Sequence, residues 1–575
     1  MRFIIRYLKP YRRAMSVGLA IKMFGTLIEL ALPYILGYIL NTVIASEGSI
    51  LMIVAWGGAM IACALTALIC NVKANRMASK VARDASERIR HDLFERTMTL
   101  SGRQTDRFTI PSLESRITSD TYNVHHFMGM IQRLGVRAPM LLLGGTVITL
   151  VMDPFLSLVM LGTLPIIFVS VYFVSTRGVP LYKKVQSSVD GMIRVVREDA
   201  QGIRVIKALS RSEHEHARYD RVNRALVRDE KRASLTMGVV NPVMSLLMNL
   251  GISLVVLIGA YRVAGKQSDP GNIVAFTQYF TMISMAMMSI TRIFVMFTKS
   301  AASANRIEEV VNAERDLVVA PADDYPIREN EDYIVFDNVS FSYNGTKDNL
   351  QNVSFSVRRG GTLGIIGSTG SGKTTVINLL MRFYDVGSGS VRIGGRDVRC
   401  IPDDELHTMF GVALQNDFLY NDTIEENIKF GRELSHEQIV AAAKTAQAHD
   451  FISDFADGYE HVLSQKGTNV SGGQKQRILI ARAVAGSPEI LILDDSSSAL
   501  DYRTDANLRR AIAEDMAETT SVVVAQRVSS VMSADVIIVL EDGEMIGIGD
   551  HESLMEGCEV YREIANSQMG GAFVE

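Results

Sequence analysis

The stretch from residue 367 to residue 375 reads GSTGSGKTT, and it decides the fold of the second half of this chain. An apolar run at 363–366 precedes it, and a run with helical apolar spacing follows at 376–383. In such a strand, loop and helix, glycines let backbone N–H groups close on phosphate oxygens, while the lysine and threonine side chains reach the phosphates and a Mg²⁺ ion. The sequence therefore predicts an ATP site formed by Gly367, Ser368, Thr369, Gly370, Ser371, Gly372, Lys373, Thr374 and Thr375.

A second motif, at 489–495, reads EILILDD and ends in two carboxylates. Its apolar residues predict a buried strand whose carboxyl end carries Asp494. A carboxylate at this point is the expected second protein ligand of the Mg²⁺ ion, beside the hydroxyl of Thr374. Another carboxylate, that of Asp495, follows directly.

The composition excludes some classes of protein. The chain has 575 residues, too many for a single core, and its formal net charge of −4 lacks the basic excess of a nucleic-acid-binding protein. Its four cysteines, Cys63, Cys70, Cys400 and Cys558, have neither paired metal-ligand spacing nor the density of a disulfide scaffold. We therefore expect several domains, free thiols and no nucleic-acid partner.

The first 300 residues contain six apolar runs long enough to cross a bilayer. They lie at approximately 14–40, 51–70, 136–152, 154–174, 237–260 and 273–297. Two long charged segments between them, 73–133 and 176–236, have helical spacing and should continue as helices outside the membrane. The basic N-terminus and the lysine and arginine content of these segments predict that they face the cytoplasm.

A polar linker separates two domains of different kinds. We expect a transmembrane domain at residues 1–315, a linker at 316–332, and a soluble domain at 333–575 in which short β-rich runs alternate with helical ones. The predicted fold class is thus a membrane α-helical domain with six transmembrane helices, fused to an α/β nucleotide-binding domain.

Between the two nucleotide motifs the chain reads VSGGQ at 470–474, and here it resembles the ATP-binding cassette (ABC) family. The resemblance implies that Ser471, Gly472, Gly473 and Gln474, at a helix N-terminus, bind the γ-phosphate of the nucleotide held by an opposite cassette. Six spans followed by one cassette resemble half of an ABC exporter of the multidrug type. This implies pairing with a second half in the cytoplasmic (inner) membrane, among membrane lipids, with both cassettes in the cytoplasm.

The resemblance also assigns roles to single residues. Tyr343 matches the aromatic residue that stacks on adenine, although a plain edge-strand aromatic is a second interpretation. Gln415 matches the glutamine that touches Mg²⁺ and the attacking water, and 498–501 matches the loop that crosses between cassettes. The segments 107–113 and 202–207 occupy the positions of the family's coupling helices, or are ordinary parts of long helices.

Three positions depart from the family pattern. Asp495 stands where the family has its catalytic glutamate, and a carboxylate shortened by one methylene reaches a water proton poorly. Gln526 stands where the family has its switch histidine, and an amide cannot carry a proton although it can donate a hydrogen bond. The segment 464–467 reads SQKG where such exporters often have GERG. The candidate catalytic residues are Asp495, Gln526 and Gln415.

This pattern resembles the degenerate-site subunit of heterodimeric bacterial multidrug exporters. It implies that the chain's own motifs hold ATP and Mg²⁺ with little hydrolysis, while its signature completes the site of a partner half with an intact glutamate and histidine. Two alternatives stay open. One is a homodimeric lipid or peptide exporter with a slow aspartate-based site, and the other is a nucleotide-gated regulatory subunit.

The spans offer two sets of side chains to a transported molecule. The methionines of the sixth run suit varied amphipathic small molecules or simply fill helix packing. They are Met282, Met285, Met287, Met288 and Met296. In the first run, Lys22 and Glu29 lie two turns apart on one face. Glu29 either attracts a cationic substrate or pairs with Lys22 or a neighbouring helix.

Overall fold

The computed structural model describes residues 1–45, 49–321, 323, 325–415, 417–496 and 498–569, so residues 322 and 324 of the predicted linker lie outside the described residues. Internal contacts divide the chain into two compact units. The helical unit comprises Met1–Thr99 and Ile110–Ala313, and the sheet unit comprises Leu100–Thr109 and Glu314–Glu575.

The first part of the chain consists of α-helices that range from 6 to 49 residues in length. They are α1 (Arg2–Leu8), α2 (Arg12–Tyr38), α3 (Ile50–Met98), α4 (Gly102–Phe108), α5 (Ile110–Ser115), α6 (Thr121–Met152), α7 (Pro154–Gln201), α8 (Ile203–Ala208), α9 (Ser212–Gly238), α10 (Val240–Ala264) and α11 (Pro270–Val311). Two π-helical turns, Ile39–Ile44 and Arg116–Asp120, follow α2 and precede α6. All of these helices except α4 belong to the helical unit.

Five helical stretches among the described residues are long and apolar enough to cross a membrane. They are Arg2–Ile44, Ile50–Met98, Ile110–Met152, Ser212–Ala264 and Pro270–Val311, and they contain five of the six predicted runs. The other run, 154–174, lies in α7, whose segment Pro154–Thr163 is a shorter apolar helix. The helical unit therefore has the length and composition of a multi-pass membrane domain.

A single residue joins α6 to α7, as the short predicted connection requires. Asp153 Oδ1 accepts hydrogen bonds from the backbone N–H groups of Phe155 at 3.0 Å and Leu156 at 3.2 Å. Pro154 occupies the first position of α7, where a missing N–H costs nothing. The chain can therefore reverse direction here without a longer loop.

Glu29 forms an ion pair with a neighbouring helix, and Lys22 is not its partner. The Arg137 guanidinium on α6 donates to the two Glu29 carboxylate oxygens at 2.5 Å and 3.2 Å. Lys22 instead donates to Asn75 Oδ1 on α3 at 3.1 Å. Of the roles considered for Glu29, the structure thus shows pairing, because an opposite charge stabilises an ionised side chain within a span.

Two short helices overlap the segment 107–113, which was expected at the position of a coupling helix. They are α4 (Gly102–Phe108) and α5 (Ile110–Ser115), and they are separated by Thr109, which has a φ of 61°. Ser101 and Gln104 form a capping box that fixes the start of α4. In the second long segment, α8 at Ile203–Ala208 lies where a short helix was expected.

The sheet unit is built on one ten-stranded sheet in the described residues. Its strands are β1 (Ile334–Phe341), β2 (Leu350–Val357), β3 (Thr362–Gly367), β4 (Ser388–Ile393), β5 (Arg396–Asp397), β6 (Phe410–Ala413), β7 (Ile490–Asp494), β8 (Thr520–Val524), β9 (Val536–Glu541) and β10 (Glu544–Gly549). Their order is β5-β4-β1-β2-β10-β9-β3-β8-β7-β6. The neighbours from β9 to β6 in this order are parallel, so the carboxyl ends of β3, β6, β7 and β8 meet at one edge.

Apolar clusters of buried residues, one of which includes the fully buried Ile365, Val376 and Ile492, hold the helices of the sheet unit. These helices are α12 (Lys373–Leu380), α13 (Asp403–Thr408), α14 (Ile424–Lys429), α15 (His436–Thr445), α16 (His449–Ser453), α17 (Gly472–Val484), α18 (Tyr502–Asp515), α19 (Val528–Val531), α20 (His551–Gly557) and α21 (Glu559–Met569). The predicted strand, loop and helix around residue 367 correspond to β3, its loop and α12.

Candidate functional site

The loop between β3 and α12 requires glycine at two positions. Gly370 and Gly372 have φ values of 87° and 103°, in the left-handed region that other residues rarely adopt. A Cβ atom at Gly372 would lie 2.9 Å from the Asn349 carbonyl oxygen and 2.7 Å from a methyl carbon of Leu350. The loop therefore packs against the start of β2 at a distance that only glycine allows.

Lys373 begins α12, and its side chain folds back over the loop. The ammonium donates hydrogen bonds to the carbonyl oxygens of Gly367 at 2.8 Å and Ser368 at 2.7 Å. Burial lowers the pKa of Lys373, while the nearby carboxylates of Asp494 and Asp495 act to raise it. The ammonium is thus positioned over the loop by neutral carbonyl groups, close to where an anionic ligand would lie.

Asp494 and Thr374 form the pair of oxygen ligands expected for Mg²⁺. Asp494 ends β7, is only 3% exposed, and accepts a hydrogen bond from the Thr374 side chain. Burial, and then the charge of Asp495, raise the pKa of Asp494 to about 6. A cation bound beside this carboxylate would reverse that effect, so the donor set fits a hard divalent ion.

Asp495 brings the three candidate catalytic residues together. Its Oδ2 atom accepts hydrogen bonds from Gln415 Nε2 at 3.2 Å and from Gln526 Nε2 at 3.0 Å. Its backbone has a φ of 49°, unusual for a residue other than glycine, and its N–H donates to the Val524 carbonyl at 2.8 Å. Burial raises the pKa of Asp495, whereas Lys373 and the two amides act to lower it.

A cavity of about 280 Å³ lies among these groups at the carboxyl edge of the sheet. Its predicted lining residues are Thr369, Gly370, Gly372, Lys373, Thr374, Thr375, Gln415, Asp494, Asp495 and Gln526. The structure adds Asn349, Val524 and Ala525, which sequence reasoning missed. Val524 and Ala525 were identifiable as the end of a strand beside Gln526, whereas Asn349 stands outside any recognisable motif.

Tyr343 lies beside this cavity and does not line it. Its hydroxyl accepts a hydrogen bond from Asn378 Nδ2 at 3.0 Å and lies 3.4 Å from Thr375 Oγ1. Its ring meets those of Phe341 and Tyr384 edge to face, with centroid distances of 4.8 Å and 5.0 Å. The half-buried ring is therefore held next to the loop by an aromatic cluster.

The signature residues Ser471, Gly472, Gly473 and Gln474 are not brought to the chain's own cavity. Ser471 caps α17 in a capping box with Gln474, whose Oε1 accepts the Ser471 N–H at 2.9 Å. Ser471 and Gly472 are exposed, and a Cβ at Gly472 would meet nothing within 4 Å. The N-terminus of α17 therefore presents an open surface suited to an anion from outside this cavity.

The segment at 498–501 is hydrogen-bonded to Asp495 at its start. Ser498 Oγ donates to the Asp495 carbonyl at 2.9 Å, and Asp501 caps α18 by accepting the Thr504 N–H at 2.9 Å. This segment is therefore fixed at both ends, on one side to the residue after β7 and on the other to a helix.

Comparisons with known proteins agree with this architecture. The chain matches the ABC transporter transmembrane region over residues 15–287 and the ABC transporter family over residues 350–498. It is 34% identical over 573 residues to the uncharacterized ABC transporter ATP-binding protein YfiB of Bacillus subtilis, covering 99% of this chain and 99% of that protein. It is 31% identical over 574 residues to an uncharacterized ABC transporter ATP-binding protein of Mycobacterium bovis, covering 99% of this chain and 98% of that protein.

The fold is also shared with a solved structure of a bacterial Atm1-family ABC exporter with ATP bound. The TM-score is 0.80 at 23% sequence identity, covering 96% of this chain and 97% of that one. Because the sequence relatives match from end to end, the chain belongs to the ABC transporter family and joins that family's transmembrane region to its ATP-binding domain.

Proposed function

We propose that this chain is one half of a heterodimeric ATP-driven exporter of drugs or other amphipathic small molecules, and that its own site retains ATP with little hydrolysis. Family membership implies ATP binding and ATPase activity, and exporters of this fold work as dimers of half-transporters. The observation that carries the proposal is the tethering of Asp495 by Gln415 on one side and Gln526 on the other.

The tethering limits the reach of Asp495 as a general base. The side chains that hold its Oδ2 atom follow β6 and β8, the two strands that flank β7. The carboxylate is one methylene shorter than glutamate, and it cannot advance toward a nucleotide without breaking these bonds. Proton abstraction needs heavy atoms within about 3 Å, so a shortfall of one bond length can cost orders of magnitude in rate. Because burial raises the pKa of Asp495, the weakness lies in reach and not in basicity.

The same residues fit retention of ATP with Mg²⁺. Thr374, Asp494 and Gln415 are the side chains proposed to hold the ion, which would neutralise charge on the β- and γ-phosphates. The Nε2 atom of Gln415 is engaged with Asp495, so its carbonyl oxygen is the atom left for a cation. Lys373 supplies the fixed positive charge over the loop.

The exposed signature supports a role at a second chain's nucleotide. Helix N-termini stabilise anions through their N–H groups and the helix dipole, and α17 has 13 residues behind its exposed end. We propose that Ser471 and its neighbours complete the partner's site, where an intact glutamate and histidine would hydrolyse ATP.

Two features of the helical unit support coupled transport. The short helix α8 and the residue after it expose Ile203, Val205 and Leu209 by 45%, 60% and 64%, an apolar tip suited to docking on a partner's cassette. In α11, Met285 and Met288 are 62% and 38% exposed and offer flexible surface to amphipathic molecules. We place the complex in the cytoplasmic (inner) membrane with both cassettes in the cytoplasm, in agreement with the basic N-terminus.

The test is steady-state ATPase activity in lipid nanodiscs. The chain alone is compared with the chain co-expressed with a second half that has the glutamate and histidine, each with and without Asp495→Glu. We expect the lone chain to be nearly inactive, the pair to be active, and the Asp495→Glu pair to gain a second hydrolytic site. Ordinary exporter rates from the lone purified chain would show that Asp495 is a working base and would refute the heterodimer proposal.

A further inference from the structure

The loop that carries Gln526 is held from behind by a residue near the C-terminus. Gln568 Nε2 donates to the carbonyl oxygen of Gln526 at 2.7 Å, and Gln568 Oε1 accepts the Val528 N–H at 2.8 Å. We call these two hydrogen bonds the Gln568 bridge. One side-chain amide thus fixes the backbone on both sides of Arg527, so the loop has no freedom to rotate there without losing a bond.

The bridge supplies a partner to two backbone groups, the N–H of Val528 and the carbonyl of Gln526. Val528 is the first residue of α19, and the N-cap residue Arg527 makes no side-chain capping bond. The first N–H groups of a helix need an outside acceptor, which Gln568 supplies from another helix. On the opposite side of the loop, the Ala525 N–H donates to the Ile365 carbonyl at 3.1 Å.

The element behind the bridge is itself anchored. Helix α21 is held in the core of the sheet unit by Tyr561 and Ala565, which are 0% and 2% exposed. The Tyr561 hydroxyl also lies 2.8 Å from His551 Nδ1 on α20. Gln568 therefore projects from a fixed helix, and its position is set independently of the nucleotide cavity.

From this geometry we propose that Gln568 is a positioning residue, which holds Gln526 in reach of Asp495 and so couples the C-terminal helix to the nucleotide site. The amide of Gln526 reaches Asp495 only while the Gln526 backbone stays in place, and the bridge is what fixes that backbone. The effect on ATP retention rests on the proposed function, whereas the fixing of the loop does not.

The test compares Gln568→Ala with Asn566→Ala in the full chain in nanodiscs. Asn566 is an exposed amide on the same helix, so its variant controls for the change in helix propensity and for the loss of a surface amide. Hydrogen–deuterium exchange of the segment 525–528 is measured without nucleotide. We expect about tenfold faster exchange at Val528 in Gln568→Ala, as for the loss of one hydrogen bond, and no change in Asn566→Ala. Unchanged exchange in Gln568→Ala would overturn the bridge.

A third variant, Gln568→Glu, separates the two bonds. A carboxylate can still accept from Val528 but cannot donate to the Gln526 carbonyl. We expect Val528 to stay protected in this variant while the dissociation of Mg²⁺-ATP becomes faster. If dissociation from Gln568→Glu matches the native chain, the bond to Gln526 has no positioning role.

A double-variant cycle with Gln526→Ala distinguishes positioning from general destabilisation. In the native background, Gln568→Ala should shorten the residence time of Mg²⁺-ATP about tenfold. In the Gln526→Ala background it should have no further effect, because the side chain it positions is gone. Equal effects in both backgrounds would overturn the proposal. If the site instead proves hydrolytic, the faster exchange at Val528 is still expected, so failure of the proposed function can be told apart from failure of this inference.

Discussion

Gln526 Nε2 lies 3.0 Å from Asp495 Oδ2, so the residue proposed for the switch position bonds directly to the residue proposed for the base position. Neither side chain has the length or chemistry for proton transfer that a glutamate and histidine pair would have. We expect the double variant Asp495→Glu, Gln526→His to raise single-turnover hydrolysis at this site by about 10²- to 10⁴-fold, the usual contribution of a positioned base. Asp495→Glu or Gln526→His alone should raise the rate of hydrolysis less, because the other residue of the pair still cannot take part in proton transfer.

The measurement follows release of labelled phosphate from the chain paired with its partner half, after the partner's own loop lysine has been replaced. Gln415→Ala in the double-variant background serves as control, because it removes the third residue of the cluster and should abolish the gain. A native chain that already hydrolyses ATP as fast as the double variant would contradict the proposal that this site retains ATP with little hydrolysis.

The glycine loop and the strand before Asp494 could be predicted from sequence because local constraints decide them. Gly370 and Gly372 adopt φ values that few other residues tolerate, and a fully buried strand requires the apolar run at 490–493. Gln415, Asp495 and Gln526 meet because the strands before them are parallel neighbours in the sheet. The order of these strands cannot be derived from the sequence without a family resemblance.

Other features depend on contacts between distant residues and could not be read from the chain. The partner of Glu29 is Arg137 on another helix, although Lys22 is the basic residue on the same face. The start of α4 was not predicted, although the capping box of Ser101 and Gln104 was a usable local signal. Gln568 belongs to no motif, and only the folded sheet unit brings it to Gln526.

The signature serine can be tested against an equivalent cap in the same unit. Ser471 and Ser435 both form capping boxes with a glutamine three residues later. Replacing either by alanine should cost about 1 kcal/mol of stability. Only Ser471→Ala should lower the ATPase activity of the paired transporter, by about 10- to 100-fold, because it alone would face a nucleotide. Equal ATPase activities of Ser471→Ala and Ser435→Ala would show that Ser471 has no role in ATP hydrolysis by the paired transporter.

Tyr384 links α4 to the aromatic cluster beside the nucleotide loop. Its hydroxyl donates to Asp106 Oδ2 at 2.6 Å, and a Cβ at Gly102 would lie 2.8 Å from its ring. Burial and then the Asp106 hydrogen bond raise the pKa of Tyr384, so the hydroxyl stays protonated as a donor. We expect Tyr384→Phe to speed hydrogen exchange in 102–108 about tenfold.

The matched control is Tyr333→Phe, which removes a similar bond of 2.6 Å to Glu489 elsewhere in the sheet unit. It should leave exchange in 102–108 unchanged. If both variants loosen α4 equally, the effect is a general loss of stability and Tyr384 does not hold this helix.

Asp494 makes the nucleotide-free protein sensitive to pH, because burial raises its pKa. Its pKa is about 6 when folded, against about 3.9 for an unfolded aspartate. The folded state therefore binds the proton more tightly, and ionisation of Asp494 lowers stability as the pH rises from about 4 to about 6. Above pH 6 the cost is complete, on the order of 3 kcal/mol.

Asp494→Asn removes this cost because the amide stays neutral. We expect its unfolding transition without nucleotide to lie above that of the native chain at pH 7.5, with a gain that shrinks as the pH falls toward 4. Asp454→Asn, at an exposed position, controls for the loss of one negative charge. With Mg²⁺ and ATP present the order should reverse, since a charged carboxylate binds the cation more tightly than a neutral amide does. A gain that does not depend on pH would show that the ionised carboxylate is not what destabilises the empty site.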